Sequence, residues 1–428
     1  MQGLGGVHGK TKQKSDLLNI LQIKKLCKNR MRLIKTLSVF VFTFTLLSGL
    51  PFIDVTNFRA YFQIRRTAGL HNNLAKFYQV WNDSITSGTN DHRKARKVVL
   101  WTQFFGKPYE IKRLTCPSLK SCIFTTDRKQ VKDADAVVFH FWDTPKVYNR
   151  SFMPRIRLPH QYWIWYAKES PENNRYVDLI SYSGIYNWTM TYRNDSDVPG
   201  PPGSLYKSYN LLKKGRIKEN STEKKGTVVW FVSKCYKFFH RHIYAKELSK
   251  HIKIDVFGGC GRRVCSRTNG TCMSATIQQY KFYLAFESYR CKEYITEKFW
   301  HNALVNGVVP IVIGPPKSDY EKFTPPNSFI HVDDFESPES LARYIKMLDK
   351  NDDLYNRFFI WRTNPPKAIP KIPGQWCVLC EKLFNTSPTE NKVYTDLERW
   401  WKGENYEFCQ PLVLKENIFD GLNLVHYD

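Results

Sequence analysis

Two α/β domains with parallel sheets, facing one another, are predicted by three observations. Short apolar runs alternate with helical or polar stretches in two blocks, on either side of a Pro/Gly-rich break at 198–203. Residues 280–315 hold a strand, a helix and a strand, a unit whose length implies parallel strands joined by a right-handed crossover. At 428 residues the chain is long enough for two domains.

In the first block, residues 98–101, 136–141, 162–167 and 188–192 read as strands. After the break and a polar stretch at 213–226, residues 227–232, 254–258 and 328–332 read as strands of the second block. Between them lies the central unit. Residues 282–286 form an apolar-aromatic run, the pattern of a buried strand. Residues 296–305 have helical spacing, with Ile295, Phe299 and Ala303 on one face and Tyr294, Glu297, Lys298 and His301 on another. Gly307 ends that helix, and 308–313 is a second buried strand closed by Gly314 and Pro315. A further helix spans 337–349, with Ser337 as N-cap, Pro338 in the first turn, and Leu341, Tyr344, Ile345 and Leu348 on one face.

Ligands on parallel sheets sit beyond the carboxyl ends of the strands, where helix N-termini point. Tyr294, Glu297 and Lys298 reach that place together. An aromatic ring, a carboxylate and an ammonium group there suit a sugar nucleotide, with hydroxyls for Glu297 and phosphates for Lys298. Arg241 directly follows a strand and opens a helix, where an arginine grips a diphosphate bidentately. Arg262 and Arg263 compete for that role from a glycine-containing loop. In the first block, Glu169 ends an aromatic strand just before Ser170 and Pro171. Pro171 disfavours helix at Ser170, so the chain turns and presents Glu169 at the strand's carboxyl end.

The first 35 residues carry nine Lys or Arg against Asp16, and residues 36–53 contain no charge. Eighteen uncharged residues rich in Phe, Val and Leu suffice to span a membrane, and the preceding basic flank places the N-terminus in the cytosol and the rest in a lumen. Met1 and Met31 both remain as starts. Residues 54–96 read as a stem. Asn82, Asn149, Asn187, Asn194, Asn220, Asn269 and Asn385 each begin an Asn-x-Ser/Thr triplet, in agreement with a luminal location. Ten of eleven cysteines follow the span, and in an oxidising compartment they read as disulfides. Cys235 and Cys260 bracket one strand-helix-strand unit and would staple it; the pairings of Cys265, Cys272, Cys291 and Cys409 are open. The net charge of +26 is spread, with no arginine-rich arm or nucleic-acid motif, so no nucleic-acid partner is expected.

Several stretches closely resemble the α1,3-fucosyltransferases, invertebrate-type Golgi glycoprotein members included. In the second block these are Phe-Tyr-Leu-Ala-Phe-Glu (282–287), Tyr-Ile-Thr-Glu-Lys-Phe-Trp (294–300), Asn-Ala-Leu (302–304), Gly-Val-Val-Pro (307–310) and Phe-Ile-His-Val-Asp-Asp-Phe (329–335). In the first they are Trp-Ile-Trp-Tyr-Ala-Lys-Glu-Ser-Pro (163–171) and Tyr-Asn-Trp-Thr-Met-Thr-Tyr-Arg-Asn-Asp-Ser-Asp (186–197). The turn after Glu287 departs from the family's Asn-Ser, reading Ser288-Tyr289, and Lys234 stands where the family often has Asn. The resemblance implies a GT-B architecture of two facing Rossmann-like domains, acceptor-side at 97–212 and donor-binding at 213–365. A C-terminal extension, 366–428, would be tied back by disulfides between the Cys377/Cys380 pair and Cys116 and Cys122.

The implied activity is inverting transfer of L-fucose from GDP-β-L-fucose to the 3-hydroxyl of GlcNAc in glycoprotein or glycolipid glycans, by a single-pass type II protein of the Golgi membrane. Glu169 is the implied general base; Arg241, Tyr294, Glu297, Lys298 and Glu287 are donor-binding candidates; Trp165, Asp195 and Asp197 are acceptor-side candidates. Asp195-Ser-Asp197 has a metal-nucleotide form but lies far from the donor unit. No metal site and no required cofactor are expected, with Mn or Mg at most stimulatory. A homodimer is compatible with this reading. An inactive lectin-like protein of the same fold is the alternative.

Overall fold

The computed structural model describes residues 95–109, 122–200, 224–235, 240–262, 265, 270–363, 374–387, 390 and 392–410. The expectations for the basic tail, the 36–53 span, the stem, Cys116, Arg263, Asn82, Asn220 and Asn269 lie outside these residues. Among the described residues no helix is long and apolar enough to cross a membrane.

Six strands form the first sheet: β1 (Arg96–Leu100), β2 (Cys122–Thr125), β3 (Ala136–His140), β4 (Tyr162–Ala167), β5 (Trp188–Thr191) and β6 (Val198–Pro199). Their order is β2-β1-β3-β4-β5-β6, and every pairing is parallel. A parallel sheet is buried on both faces, so its central strands read as unbroken apolar runs. Every residue of β3 and β4 is buried. Two of these strands were not anticipated. β2 is too short to show a period, and β6 occupies the start of the predicted Pro/Gly break.

The second sheet contains β7 (Gly226–Phe231), β8 (Ile254–Phe257), β9 (Tyr280–Phe286), β11 (Val309–Ile313) and β12 (Ile330–His331), in the order β12-β11-β9-β7-β8, again all parallel. The two-residue strand β10 (Arg290–Cys291) stands outside it. Helices α1 (His240–Ser249), α2 (Gly270–Ile277), α3 (Lys317–Phe323) and α4 (Pro338–Asp349) accompany the sheet. Leu284, Phe286 and Ile311 share one core with Leu248 of α1 and Leu341 and Ile345 of α4. Tyr283, Ala285 and Val312 share the other with Ile277, Phe299 and Trp300. As the sequence predicts, Ser337 caps α4: its Oγ accepts from Ser340 N–H at 3.2 Å, while Ser340 Oγ accepts from Ser337 N–H at 3.1 Å. At the turn after β8, Gly258 has φ +94°, and a Cβ there would lie 2.7 Å from Val232 O.

The predicted α-helix at 296–305 is instead π-helical over Lys298–Leu304. Val305 N–H reaches Trp300 O at 3.0 Å, and Val308 N–H reaches Ala303 O at 3.3 Å. The wider turn lets Phe299, Trp300, Ala303 and Leu304 all face the core. Apolar spacing alone does not separate that geometry from an α-helix.

The largest departure from expectation concerns the first sheet's cover. Among the described residues its crossovers carry only short 3₁₀ turns, such as Arg128–Asp133, Pro171–Asn174 and Ile180–Tyr182. The missing layers come from the end of the chain. Helix α5 (Gln375–Asn385) sets Val378, Leu379 and Leu383 against Ile164, Tyr166 and Trp188. Helix α6 (Leu397–Lys402) sets Leu397 and Trp401 against the opposite face, where the Trp165 and Trp401 rings meet edge-on at 5.0 Å. The chain then crosses to the donor half, where β13 (Cys409–Gln410) pairs antiparallel with β10.

Disulfides fix this path. Cys122 is bonded to Cys380 and Cys291 to Cys409, while Cys235–Cys260 and Cys265–Cys272 are local. The expected tether of the Cys377/Cys380 pair to the first domain is present in Cys122–Cys380, and the Cys235–Cys260 staple is present too. Cys377 is also disulfide-bonded, to a residue outside those described. Trp401→Ala should cost about 3–5 kcal/mol in denaturant unfolding, because it opens the core beneath Trp165.

Candidate active site

The site forms where the carboxyl ends of β4 and β9 meet. Glu287 directly follows β9, and its N–H donates to Ile313 O at 2.7 Å, holding the strand ends together. Gly314 permits this approach: a Cβ there would lie 2.4 Å from Tyr320 Oη and 3.2 Å from Glu287 Cγ. Glu287 is 1 % exposed. Its carboxylate accepts from Thr296 N–H at 2.8 Å, from Thr296 Oγ1 and from Lys298 Nζ at 2.9 Å. Lys298 Nζ also donates to Thr296 Oγ1 at 2.8 Å and pairs with Glu297 at 3.4 Å. Burial alone would lower the Lys298 pKa, but Glu287 and Glu297 hold it above the usual lysine value. Burial raises Glu287 above the usual carboxylate range despite the lysine.

Glu287 therefore serves as an internal post that fixes Thr296 and aims Lys298. Glu297 is exposed beside it. Thr296 is a working residue of this cluster that sequence reasoning passed over, although it stands inside the motif itself.

Arg241 lies at the start of α1, is buried, and donates to Phe286 O at 3.3 Å. Burial lowers its pKa, and Glu287 and Tyr294 offset part of that loss. The predicted arginine thus stands at the end of β9 beside the Glu287 cluster. Its competitor Arg262 is bound elsewhere, to Asp255 at 2.6 Å.

From the first sheet, Glu169 lies two residues beyond β4 and is half-buried. Its Oε2 accepts from Asn173 Nδ2 at 2.8 Å and from Tyr294 Oη at 3.2 Å. The second contact crosses between the two halves of the chain. Tyr294 is buried and its ring packs against Tyr192 at 5.0 Å. Burial, with Glu169 nearby, pushes its hydroxyl pKa well above the usual value. Tyr294 Oη is thus a proton-bearing donor to the Glu169 carboxylate. The arrangement joins one carboxylate, held by neutral donors, to a cluster in which Lys298 and Arg241 stand beside Glu287 and Glu297.

The acceptor-side candidates lie elsewhere. Trp165 is 1 % exposed and packs under α6, because alternation along β4 turns it, with Trp163 and Ala167, to that face of the sheet. Asp195 forms a two-pronged pair with Arg193 at 2.9 and 2.5 Å. Asp197 accepts from Thr189 N–H at 2.9 Å, Tyr394 Oη at 2.7 Å and Lys392 Nζ at 2.5 Å. Both aspartates are engaged by the protein. Of the sequons, Asn149 is exposed, while Asn194 and Asn385 are half-buried. Asn187 is buried: its amide oxygen accepts from Trp163 N–H at 2.8 Å, and its Nδ2 donates to Lys392 O at 2.9 Å. The folded chain closes that sequon to a glycan.

The profile described as fucosyltransferase, N-terminal, matches residues 93–203, and that of glycosyltransferase family 10 (fucosyltransferase), C-term, matches residues 221–400. The human 4-galactosyl-N-acetylglucosaminide 3-α-L-fucosyltransferase FUT5 is 40 % identical over 293 residues, covering 68 % of this chain and 76 % of its own. This chain belongs to the α1,3-fucosyltransferase family. The human α-(1,3)-fucosyltransferase 7 is 34 % identical, over 77 % of this chain and 93 % of its own. A crystal structure of an α1,3-fucosyltransferase with GDP aligns over 71 % of this chain and 95 % of its own, at TM-score 0.44 and 13 % identity.

In this fucosyltransferase the Glu287–Lys298 pair can be tested apart from catalysis. Lys298→Met should destabilise the fold by about 3–5 kcal/mol, because it strands a buried carboxylate. Adding Glu287→Gln should recover a large part of that loss, as read by thermal unfolding.

Proposed function

We propose that this enzyme transfers L-fucose from GDP-β-L-fucose to the 3-hydroxyl of GlcNAc in a glycoprotein or glycolipid glycan, with inversion. The observation that carries the reading is the Glu169–Tyr294 contact, which brings a carboxylate of the first sheet to the cationic cluster of the second. Glu169 removes the proton from the acceptor hydroxyl as its oxygen bonds to the fucose anomeric carbon. The bond to the β-phosphate breaks, and GDP leaves with the electron pair. Arg241 and Lys298 offset the charge gathering on that phosphate, and Glu297 takes donor hydroxyls. Tyr294 holds Glu169 in place. The two halves bring donor and acceptor into line, which supplies the entropic part of the rate gain.

Family membership supports the donor and the reaction class. The name of the human FUT5 relative, which specifies 4-galactosyl-N-acetylglucosaminide, supports a GlcNAc-containing acceptor. The basic segment before the uncharged stretch at 36–53 supports a type II orientation in the Golgi membrane, with the catalytic part luminal.

Glu169→Gln tests the base. It should fold and bind GDP-fucose normally, yet transfer fucose about 10²-fold more slowly or worse, with the loss in kcat. Glu172→Gln is the control and should lose little. A folded Glu169→Gln enzyme with more than about a tenth of normal activity would exclude Glu169 as base. Assays with N-glycan core and lactosamine acceptors assign the acceptor. For the orientation, the catalytic part should resist protease in sealed microsomes and become sensitive once detergent is added.

A further inference from the structure

The segment between β10 and the π-helical turn carries Tyr294 to Glu169, and residues with no part in the proposed chemistry hold it there. Glu293 is the centre of this arrangement. It has φ +59°, a left-handed backbone uncommon outside glycine, and its side chain is 6 % exposed. Its Oε2 accepts from Asn194 N–H at 2.7 Å, a bond from the second half of the chain to the loop after β5. Oε1 faces Lys322 Nζ at 3.4 Å, and its own N–H donates to Asp319 Oδ2 at 2.7 Å.

The neighbouring residues reinforce the same register. Lys292 lies 3.7 Å from Asp195, the residue that pairs with buried Arg193. The Phe408 ring receives Arg193 from the first half and Lys292 from the second, each 4.7 Å from its centre. Lys292 N–H donates to Phe408 O at 2.7 Å, beside the Cys291–Cys409 bond.

We propose that Glu293 is a positioning residue for fucosyl transfer. Its carboxylate registers the donor loop on the acceptor half through Asn194. Its left-handed backbone turns the next residue, Tyr294, onto Glu169. It touches no reacting group itself. The proposal rests on the reading of Glu169 as base, and its test is separable from the test of that reading.

The test is steady-state transfer by the full-length chain, with thermal unfolding measured alongside. Glu293→Ala should lower kcat by about 10-fold or more, the scale of a small misplacement of reacting groups. Glu293→Gln keeps an amide oxygen to accept from Asn194 and should stay within about 3-fold of wild type. Glu293→Gly adopts the left-handed backbone freely but lacks the acceptor. It should match the alanine variant, and it keeps the test decisive if that variant misfolds. In a Tyr294→Phe background, Glu293→Ala should cost little more, because both changes break one chain of contacts.

Wild-type kcat in Glu293→Ala or Glu293→Gly overturns the proposal. Losses that multiply with Tyr294→Phe, and that follow a fall in melting temperature shared by Glu293→Gln, assign Glu293 a purely structural role and overturn it equally. An active Glu169→Gln enzyme, by contrast, overturns the base and leaves the Glu293 cycle to be read on its own.

Discussion

A parallel sheet must be covered on both faces, and in this protein the first sheet does not carry its own cover. Among the described residues its crossovers are loops and short 3₁₀ turns, while β3 and β4 present aromatic and branched side chains to both sides. Tyr162 and Trp188 stack at 4.0 Å on one face, and Trp165 and Trp401 meet on the other. Leaving such rings in water would forfeit roughly 1.5–3 kcal/mol for each large side chain, so the chain's last helices are drawn back across the molecule. The Cys122–Cys380 bond, whose ends are 258 positions apart in the sequence, fixes that return.

The returning segment does more than cover a sheet. After α6 it reaches the donor half through β13 and the Cys291–Cys409 bond. Just before β13, its Phe408 lies against Arg193 of the acceptor half and Lys292 of the donor half. The loop that begins at β10 ends at Thr296 and Lys298, whose positions depend on buried Glu287. The packing of the first sheet and the aim of the cationic cluster are thus joined through one run of backbone. Separate substitutions in the tail and in the donor loop act on the same geometry.

Much of this was legible in the sequence, for identifiable reasons. The central strands of both sheets were visible as apolar runs because parallel strands are buried on both sides, whereas the short edge strands β2 and β6 were not. Ser337 and Pro338 marked the start of α4 because caps depend on local chemistry. Arg241 and Glu169 stood out because each follows a strand at its carboxyl end, and Tyr294 because it lies just before the first turn of the 296–305 segment; the structure sets Tyr294 against Glu169. Other features depend on partners distant in sequence. Nothing near Trp165 says that Trp401 covers it, nothing near Asn187 says that Lys392 receives its amide, and nothing near Glu293 announces Asn194. The π-helical turn was missed because the same apolar residues suit an α-helix, and Glu287 became a post rather than a ligand-facing group only once Thr296 and Lys298 were seen around it.

The late return of α5 and α6 also governs how the chain is made. Strands β1 to β6 leave the ribosome long before the helices that shield them. During that interval their aromatic faces and unpaired edges remain open, a condition that favours aggregation. The contacts that close the first sheet span nearly the whole catalytic region, and such long-range closure slows folding. Correct bonding of Cys122 must wait for Cys380, so pairing with a cysteine that is made earlier competes with the native bond. Closing the first sheet is therefore a late and long-range event in the folding of this chain.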